Sequence, residues 1–151
     1  MRTCLLTVAA LLLFTVSDAS RTSDLGVEAR NGVVVCTSAT ACDAGASILA
    51  RGGNAVDAAV ATAFALAVTH PSAGNIGGGG FMIVRTPNGR TTAFDYRERA
   101  PLGSTRQMYL GSDGQIVREL TNTGYLAPGV PGTVRGLELA HKRFGKLPWT
   151  E

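Results

Sequence analysis

Ser72-Ala-Gly-Asn-Ile-Gly-Gly-Gly-Gly-Phe-Met-Ile-Val-Arg-Thr-Pro-Asn-Gly-Arg-Thr-Thr-Ala-Phe-Asp-Tyr-Arg-Glu-Arg-Ala-Pro101 is the stretch that decides the fold. Four consecutive glycines, Gly77 to Gly80, run straight into the apolar strand Phe81 to Val84. Pro87-Asn88-Gly89 offers the positive-φ positions of a tight turn. A second strand, Arg90 to Tyr96, then delivers Arg97 just before the chain breaks at Ala100-Pro101. The stretch predicts a β-hairpin approached through glycine and left through arginine. Glycines in series cost backbone entropy, so they mark a place where main chain passes close to something bulky.

Upstream of the hairpin the pattern is helical. Thr40 can cap a helix that runs to about Arg51, presents Ala44, Ile48 and Leu49 on one face, and ends at Gly52-Gly53. Asn54 is a good N-cap for the next helix, with Asp57 at the third position to reach back in a capping box. From Ala55 to Val68 almost every residue is apolar and most are small. A helix apolar all round is buried on every side, which makes this one the spine of a layered core. His70-Pro71 ends it. Before these helices, Val33 to Cys36 reads as a short buried strand.

Downstream, Gly111-Ser112-Asp113-Gly114 is a polar turn. Gly124 to Gly132 is a glycine- and proline-rich loop whose Gly129-Val130-Pro131-Gly132 launches a helix from about Thr133 to Phe144. Pro148 suits the first turn of yet another helix.

The first nineteen residues have the form of a signal peptide: Arg2, an apolar run from Leu5 to Val16, and small residues Ser17 and Ala19 ahead of Ser20. Residues 20–31 are a polar lead-in and residues 32–151 carry the folded part. Export follows, to the periplasm or the extracellular space. Two cysteines, Cys36 and Cys42, remain after such cleavage. They either bridge or are buried separately as small hydrophobes, and their placement at the end of a strand and near the start of a helix favours the second. Their spacing is not that of a zinc site. A net charge of +3 and a pI near 9.0 raise the question of nucleic acid. The arginines are scattered singly, however, with no basic run or aromatic-basic interleaving, which excludes that class.

Few residues suggest chemistry. His70 reads as a helix-terminal histidine near the last carbonyls, and His141 as a surface residue of a polar helix. Neither has a serine or cysteine partner in a nucleophile motif. The glycine loop lacks the lysine of a phosphate loop and leads into a strand rather than a helix. It is either structural or one wall of a substrate pocket. Arg97 is the best candidate, because period-2 alternation puts it on one face with Thr91, Ala93 and Asp95, opposite Phe94 and Tyr96. A guanidinium at a strand end can grip a carboxylate through two parallel hydrogen bonds. The alternative is an internal ion pair with Asp95, Glu98 or a distant acid.

Four phrases, GGNAVDAA, THPSAGNIGGGGFM, DYRERAP and GVPGTVRG, occur here in the order and context of the γ-glutamyltransferases (γ-glutamyltranspeptidases, glutathione hydrolases). From about residue 30 onward the chain resembles the N-terminal part of that family's large subunit, though not a whole member. The resemblance implies an α+β chain that is part of an αββα N-terminal-nucleophile hydrolase, made as a longer precursor that cuts itself into two subunits. It implies that Arg97, the arginine of the matching Arg-Glu-x-Ala-Pro phrase, binds the α-carboxylate of the γ-glutamyl group, while Glu98 orients the loop. The nucleophilic threonine is expected beyond Glu151, so no catalytic residue is assigned here and the chain alone is expected to be inactive. The implied ligands are glutathione and other γ-glutamyl compounds, with amino-acid or peptide acceptors. The implied protein partners are the remainder of the large subunit and the small subunit. No cofactor or metal is implied. Two other readings stay open: a related cephalosporin- or glutaryl-type acylase, and a secreted amino-acid-binding module without chemistry.

Overall fold

The computed structural model describes residues 26–151. The signal-peptide reading and the start of the lead-in lie outside those residues. Residues 26–31, which belong to a separate N-terminal unit, are exposed and carry no regular helix or strand. The second unit, Gly32–Glu151, is mixed α/β: helices α1 (Ala39–Ala50) and α2 (Ala55–Thr69), strands β1 (Phe81–Arg85) and β2 (Thr91–Asp95), a short helix α3 (Arg118–Asn122), and helix α4 (Thr133–Phe144).

The α1–α2 corner forms through a local device. Asn54 Oδ1 accepts hydrogen bonds from the backbone N–H groups of Val56 (2.9 Å) and Asp57 (3.1 Å), and Asp57 Oδ2 accepts from Asn54 N–H at 2.7 Å. The predicted capping box is therefore present in both directions. At the start of α1 the structure differs from expectation. The N-cap is Ser38, without a side-chain cap bond, and Thr40 lies inside the helix. The buried stripe of α1 is Ala41, Gly45 and Ile48, with Ala44 and Leu49 only half-buried. A Cβ on Gly45 would overlap Thr62 Oγ1, so the two helix backbones approach as closely as they do because no side chain intervenes.

β1 and β2 pair antiparallel, with Phe81 opposite Asp95, Ile83 opposite Ala93 and Arg85 opposite Thr91. Gly89 takes φ +84° in the turn, and Thr86 N–H donates to the carbonyl of Arg90 at 2.9 Å. The inward face of the hairpin presents Met82, Val84, Phe94 and Tyr96. These pack with Val56, Val60, Ala63 and Phe64 of α2 and with Leu137, Ala140 and Phe144 of α4. Phe94 and Phe144 meet edge to face, with ring centroids 6.0 Å apart.

Several expectations are corrected. Residues 33–36 form no strand and pair with no described element, and Val35 is 86% exposed. A strand exists only where another backbone supplies its hydrogen-bond partners, and none of the described residues does. Cys36 and Cys42 are joined as a disulfide, with Cα atoms 5.8 Å apart, not buried as separate thiols. Helix α2 is the spine of the core through its first half. Its C-terminal end is not enclosed, and Val68 is 80% exposed. Pro148 begins a turn closed by the Glu151 N–H at 3.1 Å.

Two glycines of the last loop and helix decide how α4 sits. A Cβ on Gly132 would overlap the carbonyl of Tyr96, and one on Gly136 would overlap the Tyr96 ring. Gly136→Ala gains about 1 kcal/mol in helix propensity. The added Cβ would lie 2.1 Å from Tyr96 Cγ, which puts the overpacking cost at about 2–3 kcal/mol, the upper part of the usual range. The expected result of urea unfolding is a net loss of roughly 1–2 kcal/mol. An unchanged midpoint would mean that Tyr96 can swing aside freely.

Candidate functional site

The hairpin, the glycine loop and the N-terminus of α4 converge where β2 ends. Tyr96 N–H donates to the carbonyl of Gly80 at 3.1 Å, one residue past the strand. Arg99 and Val130 then exchange two backbone hydrogen bonds, at 3.2 and 2.7 Å. The loop at 129–132 is thus zipped onto the segment that follows Arg97. On the other side, the carbonyl of Gly78 accepts from the N–H groups of Gly132 (2.8 Å) and Thr133 (3.1 Å). Asn75 ties the same parts together, since its Oδ1 accepts from Gly78 N–H at 2.9 Å and from the buried Thr133 hydroxyl at 2.6 Å.

This arrangement explains most of the glycine run. A Cβ on Gly79 would lie 2.7 Å from the Glu98 N–H nitrogen and 2.8 Å from Arg97 Cα, and one on Gly80 would lie 2.8 Å from the Tyr96 ring. The loop passes directly over the chain at residues 96–98, and only bare backbone fits. Gly77 meets nothing within 4 Å, so its side of the loop faces open space. The Glu98 carboxylate lies beside Gly78 and Gly79.

Arg97 emerges from this fixed backbone. Its N–H donates to Asp95 Oδ1 at 3.1 Å, and Asp95 and Arg97 share the exposed face that the alternation of β2 predicts. None of the ion pairs among the described residues involves the Arg97 guanidinium. The internal salt bridge weighed as its alternative role is therefore not formed there. Arg97 lines a cleft of about 230 Å³ together with Asp95, Arg99, Val130, Gly132 and Arg135. Tyr96 points the opposite way, into the core. Its hydroxyl donates to the carbonyl of Phe81 at 3.3 Å, and burial pushes its phenol above the ordinary value.

The two histidines part company. His70 is the C-cap of α2, and its backbone N–H bonds the carbonyl of Leu66 at 2.9 Å. His141 is not a surface residue. Its side chain is 12% exposed, its Nε2 lies 3.1 Å from Asp57 Oδ1, and its ring meets Trp149 edge to face at 5.1 Å. A signal for this existed, because Leu137, Ala140, His141 and Phe144 follow the spacing of one buried helix face. Asp57 itself is 4% exposed and receives the N–H groups of Lys146 (3.0 Å) and Leu147 (3.4 Å) besides that of Asn54. The capping residue of α2 thus also holds the segment that leaves α4.

The family model described as gamma-glutamyltranspeptidase matches residues 41–151. A glutathione hydrolase proenzyme of Pseudomonas sp. (strain A14) is 50% identical over 141 residues, covering 93% of this chain and 24% of that protein. The chain therefore spans about a quarter of that relative's length. The crystal structure of Helicobacter pylori gamma-glutamyltranspeptidase superposes with a TM-score of 0.77 at 48% identity, over 81% of this chain and 35% of that one. A cephalosporin acylase from Bacillus halodurans superposes with a TM-score of 0.61 at 29% identity, over 81% of this chain and 24% of that one. Because the family model covers residues 41–151, from the first turn of α1 through the hairpin, the Arg97 cleft and α4, this chain belongs to the gamma-glutamyltranspeptidase family.

Proposed function

We propose that this chain is the N-terminal part of the large subunit of an exported γ-glutamyltransferase with the αββα N-terminal-nucleophile fold, and that it supplies the donor α-carboxylate site. The observation that carries the reading is Arg97. Its backbone is pinned by Asp95, its neighbours by Gly80 and Val130, and its guanidinium lines a cleft without an ion-pair partner among the described residues. A planar guanidinium held in this way can take a carboxylate in one orientation.

In the reaction, a threonine that autoprocessing exposes beyond Glu151 attacks the γ-carbonyl of the bound donor. Its own α-amino group takes the hydroxyl proton and passes it to the departing amine. Water or an acceptor amine then resolves the γ-glutamyl ester. The part assigned to this chain is orientation: holding the α-carboxylate sets where the γ-carbonyl lies, and placement of that kind accounts for much of an enzyme's rate advantage. Glutathione and other γ-glutamyl compounds are the donors, and amino acids or peptides the acceptors.

An acylase of the same fold is the second reading, supported by the structural likeness to the cephalosporin acylase. The identity to that structure, 29%, is lower than the 48% to the gamma-glutamyltranspeptidase structure, which favours the first reading. Turnover of γ-glutamyl against glutaryl amides by the complete polypeptide decides between them. Residues 20–151 alone are expected to show no turnover of a γ-glutamyl amide. Activity that survives purification and depends on Arg97 would overturn the assignment of the nucleophile to a later segment.

A further inference from the structure

Arg97 does not stand alone in its cleft. Arg99 follows two residues later, beyond the end of β2, and lines the same cleft. Arg135, from the first turns of α4, lines the same cleft. The acids that face these groups are two. Asp95 Oδ1 accepts the Arg97 N–H, and Glu138 is ion-paired with Arg135. Glu98 is placed elsewhere, against the glycine loop. Arg99, like Arg97, takes part in none of the ion pairs among the described residues. The first turn of α4, whose cap Gly132 lines the cleft, carries no acidic residue.

One carboxylate is matched by one guanidinium. An α-carboxylate on Arg97 therefore leaves Arg99 without a counter-charge in the same cleft. We propose that Arg99, assisted by Arg135, forms a second anion subsite that selects γ-glutamyl donors whose leaving amine carries its own carboxylate. This rests on the reading of Arg97 as the donor α-carboxylate contact. Because Arg99 is exposed and its structural bonds are made by its backbone, replacing its side chain leaves the Arg99–Val130 pairing in place.

The test uses the complete, autoprocessed polypeptide and two donors that differ in one charge, γ-glutamylglycine and γ-glutamylglycinamide. The readout is the ratio of their kcat/KM values. Wild type is expected to favour the acid by roughly threefold to fivefold, the scale of a solvent-exposed ion pair. Arg99→Gln is expected to bring the ratio close to one, Arg135→Gln to lower it less, and Arg99→Lys to retain most of it. On wild type alone, raising salt from about 0.05 to about 0.5 M is expected to erode the preference, since screening weakens exposed pairs. A wild-type ratio near one, or a ratio indifferent to both Arg99→Gln and salt, overturns the second subsite. Arg97→Ala keeps the two failures apart. If it leaves kcat/KM for both donors intact, the Arg97 reading falls; if it lowers both while the Arg99 arm shows no effect, only the second subsite falls.

Discussion

Asp57→Ala is expected to destabilise the chain by about 3–5 kcal/mol, the cost of removing one partner from a buried charged network. The carboxylate collects N–H groups from two places, Asn54 at the start of α2 and Lys146 and Leu147 beyond α4, and His141 Nε2 of α4 lies 3.1 Å from its Oδ1. Its loss strands those donors in a site where Asp57 was only 4% exposed. Each unsatisfied buried donor costs about 1–3 kcal/mol, while the cap alone accounts for about 1 kcal/mol. The tertiary part therefore outweighs the local part. Against a typical total of about 5–15 kcal/mol, the loss is severe. Trp149, the single tryptophan, touches the His141 ring and so reports on this corner by its fluorescence during urea unfolding. Asp57→Asn keeps the shape and one acceptor oxygen and is expected to lose about half as much. A shift of under about 1 kcal/mol for Asp57→Ala would show that only the helix cap matters.

Arg97→Ala, in the complete polypeptide, is expected to raise KM for γ-glutamyl donors by roughly one to two decades, equivalent to about 1.5–3 kcal/mol for a charge-assisted contact. Arg97→Lys should recover only part of this, because an ammonium keeps the charge but not the two-pronged donor. Removing the donor's α-carboxylate should cost wild type a comparable amount and the alanine variant much less, since that contact is already gone. The experiment is a double cycle of enzyme variant against donor analogue, scored as kcat/KM. Additive losses with autoprocessing intact would show that Arg97 does not touch that carboxylate. Arg97 suits the test because the fold around it is held by other groups. Asn75, Gly78, Gly132 and Thr133 carry the hydrogen bonds, and Tyr96 carries the packing.

The amino-acid sequence by itself determined the features whose causes are local. Asn54 and Asp57 lie three residues apart, so the capping box depends on nothing distant. Gly89 supplies the positive φ that the hairpin turn needs, and alternation along β2 puts Phe94 inside and Arg97 outside. The start of α4 at Thr133 and the end of α2 at Thr69 follow from glycine and proline in the same way. Only the tertiary structure decided matters in which the partner lies far along the chain. The second role of Asp57 depends on backbone 89 and 90 residues away. Whether Val33 to Cys36 becomes a strand depends on a neighbouring backbone, and an apolar run alone does not supply one. The glycine run shows backbone crossing something bulky, but that the crossing is over Tyr96 to Glu98 is a fact of how the loop and hairpin fold together. His141 falls between the two classes: its spacing places it on the buried face of α4, while its approach to Asp57 on α2 exists only once the helices have packed.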